Sequence, residues 1–181
     1  MSAGRHLNDA LAAEAEAYRA LLAGDDAGPA LARARDAYLA SHADTGPRSW
    51  GRLLGALKMA ILAGDGVDAI ARQAVAEAAE ADSPASAYAR ALAQVALGRV
   101  PDVGVMLAEG DSFARAGQAL AALAAGDQAA YGAALAAIVA DFEARDQHLS
   151  GVAIADTALV LERLAGPRGM AVRPSGPLMP R

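Results

Sequence analysis

The sequence predicts an all-α fold, on three observations: a large excess of alanine, apolar residues spaced by three and four, and a recurrent Gly-Asp stop signal. More than a quarter of the 181 residues are alanine, while aromatics make up only 4 %. Alanine has the best helix propensity because it loses no side-chain entropy in a helix, and its small side chain lets helix axes approach closely. Nothing alternates with period two for long enough to form a strand.

The stop signals organise the chain. Leu22-Ala23-Gly24-Asp25, Leu62-Ala63-Gly64-Asp65 and Ala124-Ala125-Gly126-Asp127 repeat one local solution, and Leu107-Ala108-Glu109-Gly110-Asp111 is a looser copy. Glycine just past a helix takes the left-handed conformation that other residues resist. The aspartate beside it is expected to cap the next helix and complement its dipole. Pro29, Pro47, Pro84, Pro101 and Pro167 fall outside helix interiors, and Ser83-Pro84 reads as a cap followed by the favoured first-turn proline.

Between these marks the spacing predicts helices over about 6–23, 29–42, 47–63, 67–81, 84–98, 102–109, 112–125, 127–146 and 151–165. Leu7, Leu11, Ala15, Tyr18 and Leu22 share one face of the first. Trp50, Leu53, Leu54, Leu57 and Ile61 form the cleanest stripe, and Tyr131, Leu135, Ile138 and Phe142 form another. Such steps mark helices with one buried face, and short turns make neighbours pack as antiparallel hairpins. The expectation is a single helical domain spanning 1–181. Its extended tail, 166–181, carries four of the prolines and is expected to dock on the helices through Met170, Val172, Leu178 and Met179.

Composition restricts function. Apolar residues at 55 % exclude intrinsic disorder. The absence of cysteine excludes disulfides and thiolate metal sites and fits a reducing, cytoplasmic setting. A net charge of −5 argues against nucleic acid, which requires a basic face. There is no uninterrupted apolar run of membrane-spanning length, and Met1-Ser2-Ala3-Gly4-Arg5-His6 is not followed by the apolar stretch that a signal peptide needs, so none is expected. Lys58 is the only lysine against fifteen arginines, which, with the alanine excess, reads as the mark of a GC-rich bacterial genome.

No constellation supports catalysis. His6, His42 and His148 are scattered, and none lies four residues from another, so no metal pair is formed. His148 has Asp141, Glu143 and Asp146 near it in sequence, and a solvated, charged helix end accounts for that. Asp156-Thr157 falls inside an apolar run (151–161), where a carboxylate has to be paired because an isolated buried charge is costly; Arg163 or an arginine of a neighbouring helix is the expected partner. Trp50 is read as core. No glycine follows a strand as a phosphate loop would require, and Ser2, Ser41 and Ser49 lack a nucleophile-elbow setting. Catalytic, cofactor and metal residues are therefore all expected to be absent.

Two resemblances remain. A Gly-Asp turn between helices resembles the inner turn of tetratricopeptide repeats, with Gly126-Asp127 the best copy. There Tyr131 stands in place of that family's alanine, and Leu135 and Ile138 replace its aromatic and second alanine. The Gly-Asp turns at 24, 64, 110 and 126 do not keep that family's steady repeat of about 34 residues, so the likeness is architectural. The stretch Gln147-His148-Leu149 through Leu164, with Gly169-Met170-Ala171-Val172 and Pro177-Leu178-Met179-Pro180, resembles the C-terminal part of helical immunity proteins that bacteria encode beside polymorphic toxins. That likeness implies an inhibitor that binds a cognate toxin and has no catalytic residues. The leading expectation is thus a non-enzymatic, protein-binding helical scaffold. Two alternatives stay open. One is an enzyme or small-molecule binder using a groove between helices, marked by convergence of His148, Asp156 and neighbouring arginines in one pocket. The other is a self-assembling structural protein, a homodimer through an exposed apolar face.

Overall fold

The computed structural model describes residues 2–108 and 112–180. Among the described residues there are nine α-helices and no strand, and helix makes up 71 %, about twice the share in an average globular chain. The helices are α1 (Ser2–Ala23), α2 (Gly28–Thr45), α3 (Trp50–Ala63), α4 (Val67–Glu77), α5 (Pro84–Ala96), α6 (Gly104–Ala108), α7 (Ser112–Ala125), α8 (Gln128–Glu143) and α9 (Asp156–Ala165). Consecutive helices pack against one another as hairpins, most extensively α1 on α2, α2 on α3 and α7 on α8. α3 touches α2, α4, α5 and α9, and one contiguous core runs from α1 to the tail.

The Gly-Asp turns are built as expected at their glycines and differently at their aspartates. Gly24, Gly64 and Gly126 have φ of 76°, 72° and 73°. In each turn the glycine N–H returns to the carbonyl three residues back, and the aspartate N–H to the one five back. Asp25 donates to Ala20 at 2.9 Å, Asp65 to Ala60 at 3.2 Å and Asp127 to Ala122 at 3.0 Å. That paired closure satisfies the last carbonyls of the helix. Only Asp127 also caps, accepting from Ala130 N–H at 2.9 Å. Asp26, not Asp25, serves the start of α2, accepting from Gly28 N–H. Asp65 turns away to Arg35, at 2.7 Å. Gly110-Asp111 lies outside the described residues. Ser83 caps α5 in a reciprocal box with Ser86, and Pro84 takes the first turn.

Several boundaries are shorter than the spacing predicts. α3 begins at Trp50 rather than 47, because Gly46 is left-handed (φ 89°) and Ser49 N–H folds back onto its carbonyl at 3.2 Å. α4 stops at Glu77 rather than 81, and Arg90 takes up the Ala79 carbonyl at 2.8 Å. α8 ends at Glu143. The largest correction is α9, which starts at Asp156 instead of 151. Gly151 is left-handed, and Ala155 N–H is spent on the Leu178 carbonyl of the tail at 3.0 Å.

The tail docks as expected: Met170 and Met179 are buried, and Val172 and Leu178 pack against the core. Glu162 of α9 anchors it by accepting Arg173 N–H at 2.7 Å, Val172 N–H at 3.2 Å and the Tyr131 hydroxyl at 2.9 Å. Arg168 donates to Val95 O at 2.6 Å and Leu164 O at 2.5 Å, neutralising two helix-end carbonyls. No described helix is long and apolar enough to cross a membrane.

Candidate functional site

A cavity of about 450 Å³ opens between α1, α3, α5, α7, α8 and the segment leading into α9, within the usual size range of ligand sites. Helical spacing delivers its lining in short sets. Glu14 and Tyr18 are one turn apart on α1, as are Leu54 and Lys58 on α3. Ile138, Asp141, Phe142 and Arg145 follow one face along α8 and just past its end. A second concavity, between α7 and α8, is about 640 Å³ and lined mainly by alanines, with Asp127 its one ionisable group.

The inner end of the polar pocket is a buried network. Lys58 Nζ lies 2.8 Å from Asp156 Oδ2 and 3.2 Å from Thr157 Oγ1, and 5.5 Å from the centre of the Tyr88 ring. Burial, the largest influence, pushes the Lys58 ammonium down, but the charge and hydrogen bond of Asp156, with Tyr88 and Glu14 adding to them, more than offset it and hold the group above its ordinary value, which favours the charged form. Tyr18 donates to Asp156 at 3.4 Å, and Tyr38 donates to Glu14. Glu14 is 6 % exposed. Its burial raises the carboxyl pKa above the usual value, with Asp156 adding to the rise, while the Tyr38 and Tyr18 hydroxyls and Lys58 offset part of it.

The outer end is cationic. Arg115 and Arg145 share one carboxylate, Asp141, which also accepts from the Ser112 hydroxyl. Burial alone would raise Asp141; Arg145 and Arg115 hold it below the carboxylate range. Arg145 lies over the Phe142 ring at 3.8 Å, and His148 stacks on the same ring at 6.2 Å between centroids. Leu149, at the mouth, is 86 % exposed.

The structure brings His148, Asp156 and two arginines into one pocket and leaves the other candidates elsewhere. His6 pairs with Asp44 at 2.9 Å on the surface. His42 is buried and uses both ring nitrogens, on Glu77 and Ser49, each at 2.8 Å. Trp50 is half-buried against the core. Glu143 and Asp146 are exposed, and among the described residues no group of three His, Asp or Glu side chains could hold a metal ion. Asp156 is paired, as expected, but its partner is Lys58 and not Arg163 or another arginine. The reason is the start of α9: Asp156 sits in its first turn, facing α3, not in mid-helix. Lys58, Glu14, Arg115 and Arg145 escape the sequence reading. One signal could have found Lys58: the chain's single lysine stands four residues after Leu54, on the cleanest apolar stripe. Compared with known proteins, the chain matches no protein-family model, no curated protein and no solved structure.

Proposed function

We propose that this chain is a non-enzymatic binding protein that engages another protein through the face carrying the pocket mouth. The observation that supports this reading is Leu149. A large side chain 86 % exposed, beside a concave polar pocket, offers apolar surface for a partner to bury, and Arg145 on the neighbouring Phe142 ring is of a residue type that often carries interface energy. The residues around it (147–164) are also those of the immunity-protein resemblance, whose most specific form is neutralisation of a cognate toxin by direct binding. The test is retention of partners by the full chain in cells of its host, with Leu149→Asp beside the parent. A protein held by the parent and lost with Leu149→Asp supports the reading. Equal retention by both removes Leu149 from the interface.

A second reading, a pocket for a small ligand, is favoured by one observation. His148, Asp156, Arg115 and Arg145 converge on a single cavity, which is the pattern that separates a ligand site from scattered surface charge. A small molecule retained by the parent chain, with no protein, would support this reading over the first.

A further inference from the structure

The tail retraces α9. Met170 N–H donates to Ala165 O at 3.0 Å, the N–H groups of Val172 and Arg173 reach Glu162, and Leu178 O accepts from Ala155 N–H. Successive tail residues thus meet the helix at its last residue, in its second half and at the residue just before its first. The tail therefore lies antiparallel to α9 and ends against the connection between α8 and α9.

That connection has few holds of its own. Residues 146–155 contain no helix, and they supply Leu149 together with His148, Ser150, Val152 and Ile154 of the polar pocket. Gly151 N–H turns back to His148 O at 2.9 Å, and Val152 N–H to Ser150 Oγ at 3.4 Å. Among the described residues, Ala155 N–H is the only main-chain donor of this stretch that bonds outside it, and its acceptor belongs to the tail. The next residue, Asp156, forms the 2.8 Å pair with Lys58 of α3. One backbone bond thus adjoins both the Leu149 face and the charge pair that seats α9.

The tail itself is lightly held. Beyond Gly169 only Met170 and Met179 are buried among the described residues, while Arg173, Ser175 and Pro177 are exposed. Segments with few buried contacts and exposed backbone bonds open at lower free energy than the core. We propose that the tail is a strap that controls the Leu149 face: docked along α9 it fixes residues 147–155, and its release loosens that face together with the Lys58–Asp156 pair. By linkage, a partner that binds the fixed face holds the tail down, and release of the tail weakens that binding by the same factor. The regulatory consequence rests on the protein-binding reading, whereas the coupling is measured on the chain alone.

The test is amide hydrogen exchange, followed by NMR, on the full chain and on two full-length variants perturbed at opposite ends of the linkage. Met179→Ala acts on the tail and Lys58→Met on α3. In Met179→Ala, exchange at Gly151 and Val152, whose own bonds do not involve the tail, should speed up at least about tenfold along with Ala155, as removal of a buried side chain implies. Tyr38 of α2 should not change. Lys58→Met should speed exchange at Val172 and Arg173 by a similar factor. Acceleration confined to the tail amides in Met179→Ala, or unchanged exchange at Val172 and Arg173 in Lys58→Met, overturns the proposal. On the unaltered chain, Ala155, Val172 and Arg173 should open with one free energy and one urea dependence, a comparison that stands even if a variant fails to fold; separate openings overturn it as well. Coupled exchange, with partner retention unaffected by Leu149→Asp, would uphold the strap and remove Leu149 from the interface. Uncoupled exchange, with retention lost in Leu149→Asp, would sink the strap and leave the protein-binding reading standing.

Discussion

Lys58 Nζ and Asp156 Oδ2 are 2.8 Å apart although 98 positions separate the residues, and their pairing fastens the start of α9 to α3. Their side chains are only 13 % and 16 % exposed. Removing one partner of so buried a pair strands the other charge, at a cost of about 3 kcal/mol. Lys58→Met and Asp156→Asn should each lower stability by about that much. The double variant should lose clearly less than the sum of the two, by more than about 1 kcal/mol, since residues in contact couple. Urea denaturation of the four proteins measures this; strict additivity would show that the pair contributes nothing specific.

Glycine on α3 has two opposite meanings within one turn. Gly51 is exposed and a Cβ there would meet nothing within 4 Å, so Gly51→Ala should stabilise by about 0.5–1 kcal/mol through helix propensity. At Gly55 a Cβ would stand 2.8 Å from Tyr38 Cζ. The Tyr38 ring is buried and its hydroxyl is bonded to Glu14, so it has no room to retreat. Overpacking costs about 1–3 kcal/mol, which outweighs the propensity gain. Gly55→Ala should therefore destabilise while Gly51→Ala stabilises, and thermal melts of the two will show whether the signs differ.

The pH dependence of stability follows from Glu14. Its folded pKa is raised above 4.5, chiefly by burial. The folded state therefore holds the proton more tightly than the unfolded chain. Its contribution is fully present below the unfolded value and is lost as pH rises through the folded one. Glu14→Gln keeps an acceptor for Tyr38 and removes the titration. The variant should be more stable than the parent at neutral pH, with an advantage that shrinks as pH falls toward and below 4.5. An advantage independent of pH would place the effect in packing and not in charge.

How much of this was legible in the sequence depends on the range of the interaction. Turns are local: a left-handed position next to a helix end selects glycine whatever surrounds it, and Gly24, Gly64 and Gly126 could be read directly. The caps were less legible, because Asp25 and Asp65 contribute backbone N–H groups to closing the turn, and a backbone N–H carries no residue signature. The pocket was least legible. Glu14, Lys58, Arg115 and Asp156 come from four helices, and helix packing that no local pattern encodes brings them together. Reading α9 from 151 also put Asp156 in mid-helix, hiding its approach to α3. What displaced that boundary was the tail, through one long-range bond from Ala155 N–H to Leu178 O.

The tail is the last and most easily tested link between sequence and stability. Among the described residues beyond Gly169 there is no helix, yet Met170 and Met179 are each only 8 % exposed, and burying a side chain of that size is worth roughly 1.5–3 kcal/mol. Ordering an otherwise free segment opposes this, so burial of these two side chains does not hold the tail by itself. Glu162 adds a polar anchor, since its carboxylate accepts two successive backbone N–H groups, those of Val172 and Arg173. Arg173 adopts φ 49°, uncommon for a residue with a side chain, and that conformation aims both N–H groups at one carboxylate. Glu162→Gln, which retains a single acceptor oxygen, should therefore loosen the tail and cost about 1–2 kcal/mol. Truncation after Gly169 should lower the melting temperature by about 5 °C or more in a chain of this length. It should also expose Ala155 N–H to fast hydrogen exchange, because that group's acceptor, Leu178, is removed. An unchanged melting temperature together with unchanged exchange at Ala155 would show that the tail does not hold the start of α9.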